Sequence, residues 1–110
     1  MKLGRSDDAV TSYRRAIEIR PDYDKAHFNL GKALNETGRL EDAVASYRQA
    51  IALKPDYAEA LNNLGMVYKE QGRLDEAAQS HEKALAVNPD YAEALTNLGN
   101  VRKNQDRLED

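Results

Sequence analysis

The stretch PDYAEALNNLG at residues 55–65 returns as PDYAEALTNLG at 89–99 and, more loosely, as PDYDKAHFNLG at 21–31. Pro21, Pro55 and Pro89 therefore stand 34 residues apart, and a fixed period of this length marks a repeat architecture. The same offset aligns Gly31, Gly65 and Gly99, Ala26, Ala60 and Ala94, Leu30, Leu64 and Leu98, and Ala16, Ala50 and Ala84. Residues 24–57 and 58–91 are identical at 15 of 34 positions.

Outward from each quoted stretch, apolar residues recur at helical spacing on both sides of Gly38 and Gly72, so each unit reads as two antiparallel helices joined by a tight turn. Glycine there gives the left-handed backbone that ends a helix cheaply, and proline at the other junction stops the second helix. Six helices are expected, near residues 6–20, 23–37, 40–53, 57–71, 74–87 and 91–104. Asp22, Asp56 and Asp90 are the expected N-caps, with Glu59 and Glu93 completing capping boxes and Lys25 breaking the first. The organisation is then a partial repeat at 1–23, full repeats at 24–57 and 58–91, and a partial repeat at 92–110. The array is expected to start on a second helix and stop on a first.

Composition narrows the function classes. The 110 residues are 41% hydrophobic and contain no cysteine, which excludes disulfides, thiol nucleophiles and thiolate metal sites. No apolar run is long enough to span a membrane, and the N-terminus lacks the apolar core of a signal peptide. A cytoplasmic setting is the expectation. Sixteen basic against 19 acidic residues, a net charge of -3, supply no basic field for a phosphate backbone, so nucleic acid is not an expected partner.

The period, with Asn-Leu-Gly at 29–31, 63–65 and 97–99, Gly-Arg-Leu at 38–40 and 72–74, and Ala-Leu-Ala-Val-Asn-Pro at 84–89, resembles the tetratricopeptide repeat family across essentially the whole chain. The resemblance implies an all-α fold, an α-α superhelix in which the first helix of each unit lines a concave side. Small residues fit that packing: Gly31 and Gly65 with Ala43 and Ala77 allow close helix pairs, and Tyr13 and Tyr47 fill the next layer. Three departures stand out. His81 takes the place of Tyr13 and Tyr47, Arg102 that of Leu34 and Tyr68, and Asp106 that of the turn glycine. The last two predict a frayed or partly packed final helix, since a buried unpaired arginine is costly.

Helical spacing then sets the inward face: Phe28, Asn29 and Lys32 on one first helix, Asn62, Asn63, Met66 and Lys69 on the next, and Asn97, Asn100 and Lys103 on the last. These ten residues are the candidate peptide-binding set. With Asn35 and Asn104, which share it, seven of the eight asparagines fall on this face, and a carboxamide offers the paired donor and acceptor that an extended backbone requires. The column Asn29, Asn63, Asn97 resembles the asparagine ladder that grips peptide backbone in the repeats of O-linked N-acetylglucosamine transferases. Bonding to a neighbouring helix is the competing role. The resemblance to chaperone-tail binders is poor: Phe28, Lys32, Glu93 and Asn97 stand where that pattern differs, and only Asn63 agrees.

Catalytic chemistry finds little purchase. His27 and His81 occupy packing columns without a second ligand at coordinating spacing. Ser12, Ser46 and Ser80 recur without a consistent histidine and carboxylate. Singly spaced glycines make no phosphate loop. No enzyme activity, metal or cofactor is expected. The expected function is a protein-interaction scaffold that binds an extended peptide. The alternatives are a substrate-recruiting fragment of a larger glycosyltransferase, and head-to-tail self-association through the terminal helices.

Overall fold

The computed structural model describes residues 2–109, with side chains from Ser6 to Arg107. Among these the chain is all-α: α1 (Lys2–Ile19), α2 (Asp24–Glu36), α3 (Leu40–Leu53), α4 (Ala58–Glu70), α5 (Leu74–Val87) and α6 (Ala92–Glu109). It divides into two compact units, Met1–Pro55 and Asp56–Asp110.

In the first unit α2 packs against both α1 and α3. The reversal from α2 to α3 is made by Gly38 at φ 77°. The Arg39 N–H donates to the Leu34 carbonyl at 2.9 Å and the Gly38 N–H to the Asn35 carbonyl at 3.0 Å, the bond pair that satisfies the last carbonyls of a glycine-ended helix. Leu34, Ala43, Tyr47 and Ala50 are the most deeply buried apolar side chains of this unit. Gly31 lies beneath the Tyr47 ring: a Cβ there would come within 2.8 Å of Tyr47 Cδ1 and Cε1.

The second unit repeats the device. α4 packs against α5, α5 against α6, and α4 also meets α6. Gly72 turns the chain at φ 76°, with the Arg73 N–H on the Tyr68 carbonyl at 2.8 Å. Ala60, Val67, Ala77, His81, Ala84, Ala94 and Val101 are fully buried. Gly65 faces the His81 ring, where a Cβ would stand 2.6 Å from Cε1. The glycine column thus makes room for the residue at position 47 or 81, and Ala43 and Ala77 are buried separately.

Two expectations need correction. The N-cap residues of α2 and α4 are Tyr23 and Tyr57, and neither makes a side-chain cap bond. Asp22 and Asp56 sit one residue too early, inside the Pro-Asp turn, to serve as caps. The final helix is also longer than expected. With Asp106 in place of a turn glycine nothing ends it, and α6 continues to Glu109. Arg102 escapes burial by reaching the Glu82 carboxylate at 3.1 Å on the surface.

Candidate peptide-binding faces

In the first unit, the outer face of α2 carries Asn29, half-buried, and Lys32, exposed. Phe28 is different: it is buried, with its ring 5.9 Å from that of Tyr47 and the Lys32 ammonium 5.7 Å above it. Of the three expected residues on α2, Asn29 and Lys32 are accessible and Phe28 lies beneath them.

In the second unit, α4 places Asn63 half-buried, Met66 41% exposed and Lys69 half-buried along one side. α6 contributes Asn97, half-buried, with Asn100 and Lys103 exposed further along. Asn62 is a correction to the expected set. It is 1% exposed, so it lies beneath the face and cannot offer its amide to a partner. Its Oδ1 instead receives two hydrogen bonds, from His81 Nδ1 at 2.9 Å and from Asn97 Nδ2 at 3.2 Å. The register explains this: positions 28 and 62 point toward the second helix of their own pair, not along the outer face.

The tautomer of His81 follows from its partner. A carboxamide oxygen only accepts, so Nδ1 carries the proton and Nε2 is left with a lone pair. Burial, and then the Lys69 ammonium, lowers the His81 pKa to about 4, so the ring is neutral at pH 7. Nearby, burial raises the Tyr91 hydroxyl pKa, an effect that its bond to the Asn62 side chain opposes and that Glu93 and Glu59 reinforce.

Met66, Lys69, Glu70, His81 and Asn97 together line a cavity of about 220 Å³. Three of these belong to the ten expected residues, and His81 does not. The signal that could have found it was a paired exchange: Phe28 with Tyr47 becomes Asn62 with His81 one period later. A second cavity, about 430 Å³, lies in the first unit among Arg14, Ile17, His27, Leu30, Ser46 and Gln49. His27 is held there by its Nε2 on the Pro21 carbonyl at 3.0 Å. Among the described residues no helix is long and apolar enough to cross a membrane.

Comparison with known proteins agrees with this geometry. Two crystal structures of MamA are each 28% identical to the chain and cover 96% of it, with TM-scores of 0.89 and 0.88. The chain spans 61% and 57% of their lengths. YrrB, described as a TPR protein with an unusual peptide-binding site, is 27% identical at a TM-score of 0.81, over 86% of this chain and 49% of its own. The second TPR domain of human RPAP3, in complex with the HSP70 peptide SGPTIEEVD, is 28% identical at 0.86, over 92% of this chain and 84% of its own. No curated protein matches the sequence. The TPR repeat pattern matches residues 1–38, 31–72 and 65–106, so the chain belongs to the tetratricopeptide repeat family.

Proposed function

We propose that the chain is a protein-interaction scaffold in which the first helices of the second unit, α4 and α6, hold an extended segment of a partner protein. The observation that carries this reading is the gathering of Met66, Lys69, Glu70 and Asn97 from two first helices around one cavity. An apolar wall with a few convergent polar groups is the usual make-up of a recognition site. Two of the similar structures add support, since YrrB is described by its peptide-binding site and the RPAP3 domain holds a peptide. The chain's role is to bind, not to catalyse. Replacing Asn29, Asn63 and Asn97 together by Ala should abolish capture of peptides from a random displayed library while leaving the far-UV circular dichroism unchanged. Retention of the captured peptides by that variant would remove the asparagine column from the site.

A second reading, head-to-tail self-association, is favoured by the outer face of α6. Leu95 is 53% exposed where Leu61 is 5%, and a Cβ on Gly99 would meet nothing within 4 Å where Gly65 faces a ring. Tyr13 on α1 is only half-buried where Tyr47 is 1% exposed. The ring of Tyr13 from a second copy fits the open place at Gly99. Sedimentation equilibrium should show concentration-dependent growth that Tyr13→Ala suppresses, and a monomer at all concentrations would eliminate this reading.

A further inference from the structure

The open face of α6 has its complement elsewhere in the same chain. In both complete helix pairs the second helix lays one stripe on the first: Ala43, Tyr47 and Ala50 of α3, and Ala77, His81 and Ala84 of α5, are all exposed by 1% or less. The same stripe of α1 is Ala9, Tyr13 and Ala16, and all three are only half-buried. On the receiving side, Leu61, Asn62 and Gly65 of α4 are buried, whereas their counterparts on α6, Leu95, Thr96 and Gly99, are exposed. α1 stands three periods of 34 residues before the place of a second helix paired with α6, so α1 of a second copy laid there keeps the repeat in register. α1 starts at Lys2 and α6 runs to Glu109. Neither folds back where Gly38 and Gly72 turn the chain, and the two antiparallel helices continue side by side past that point.

This register sets α2 of the second copy beside α6 of the first, as α6 stands beside α4 within the second unit, where the two first helices share the 220 Å³ cavity. Moving the lining of that cavity forward by one period puts Asn100, Lys103 and Asn104 in the places of Met66, Lys69 and Glu70, and Asn29 of the second copy in the place of Asn97. All four are exposed or half-buried in the single chain. The shift also changes the charge. Lys69 has Glu70 beside it on its cavity, but Lys103 has Asn104, and Lys103 makes no ion pair among the described residues. Lys32 of the second copy, exposed, takes the place of Asn100. Glu36, one turn further along α2, accepts from the Ser6 hydroxyl at 3.1 Å.

We propose that two copies joined end to end form a shared site for an acidic side chain of an extended segment, with Asn100, Lys103 and Asn104 from one copy and Asn29 and Lys32 from the other. The proposal rests on the head-to-tail reading above. The amides pair with the backbone of the segment, and the two ammonium groups, one from each copy, neutralise its carboxylate. Because the site is complete only at the junction, binding and association favour each other by the same factor. Arg102 stands where Tyr68 is buried, a charged group in place of an aromatic one, so the bare junction is weaker than an internal helix pair. A segment that bridges the two copies offsets that weakness.

Selection of nine-residue peptides from a random displayed library, on the chain at a concentration where sedimentation equilibrium shows association, tests the site. Peptides captured there but not by Gly99→Leu, which fills the place of the incoming Tyr13 ring, should carry Glu or Asp at one position. Such a peptide should lower the concentration at which half the chain is associated by about tenfold, and its Glu-to-Gln or Asp-to-Asn version should not. Lys103→Ala should remove both the acidic preference and the effect of the peptide on association. Tyr13→Ala should act as Gly99→Leu does; if it does not fold, Gly99→Leu decides alone, since its side chain enters an exposed helical position. Association that no peptide strengthens, or a peptide effect that survives Lys103→Ala, overturns the shared site and leaves the head-to-tail reading standing. Equal capture of every peptide by Gly99→Leu overturns it too. A monomer at every concentration, with or without peptide, overturns both.

Discussion

The column Gly31, Gly65, Gly99 offers one substitution with opposite consequences at two places. At Gly31 an added Cβ would sit 2.8 Å from Tyr47 Cδ1 and Cε1. That ring is 1% exposed and packed against Phe28, so it cannot swing aside. Overpacking of this kind costs about 1–3 kcal/mol. Alanine recovers up to about 1 kcal/mol over glycine in a helix, so Gly31→Ala should lose about 1–2 kcal/mol in all. At Gly99 the same methyl meets nothing within 4 Å. There only the helix preference acts, and Gly99→Ala should gain about 0.5–1 kcal/mol. Urea unfolding followed by far-UV circular dichroism, with midpoints compared at equal slope, measures both. Equal shifts for the two variants, or a loss at Gly99, would refute the claim that the seated ring, not the helix, requires glycine.

His81 should make stability depend on pH. Unfolded, it takes up a proton near 6.5; folded, only near 4. The unfolded chain binds the extra proton between these values, so stability should fall as pH drops from 6.5 to 4, by about 3 kcal/mol, and level off below. His81→Tyr should remove that slope in urea titrations run across the window, and an unchanged slope would assign it to other groups. Gly38→Ala, at φ 77°, forces a left-handed alanine and should cost about 1–2 kcal/mol by the same assay, although nothing lies within 4 Å of its Cβ. Phe28→Ala removes a ring that is 6% exposed and should cost about 3–5 kcal/mol. A cost near that of a surface substitution would mean the ring is not part of the core.

The repeat was legible because one period governs many columns at once. Proline, glycine and small-residue positions each constrain the same helix pair, and their agreement leaves little freedom. The ends of α1 and α6 were less legible. α1 begins at Lys2, ahead of the expected residue 6, α6 runs past the place where Asp106 replaces a turn glycine, and capping at 22 and 56 failed because a turn residue and an N-cap differ by one position. On the candidate site, periodicity assigned residues to one face of each helix but not the depth of each side chain. Asn62 and Phe28 lie at the edge of that face, where a rotation of a fraction of a turn decides between solvent and interior. His81 looked like a packing residue, and it is one. What the sequence alone did not reveal is that its second nitrogen goes unbonded beside a cavity.

The paired exchange at 62 and 81 also bears on how two copies of one unit can drift apart. Starting from an aromatic pair such as Phe28 and Tyr47, neither change is comfortable alone: asparagine or histidine on its own leaves a buried polar group facing a ring, a loss of about 1–3 kcal/mol. The route between the two states therefore crosses a dip in fitness, unless a neighbour such as Asn97 is already present to share the burden. Copies that have crossed it are not readily converted back by single steps, so a lineage keeps the distinction between its repeats once it has arisen.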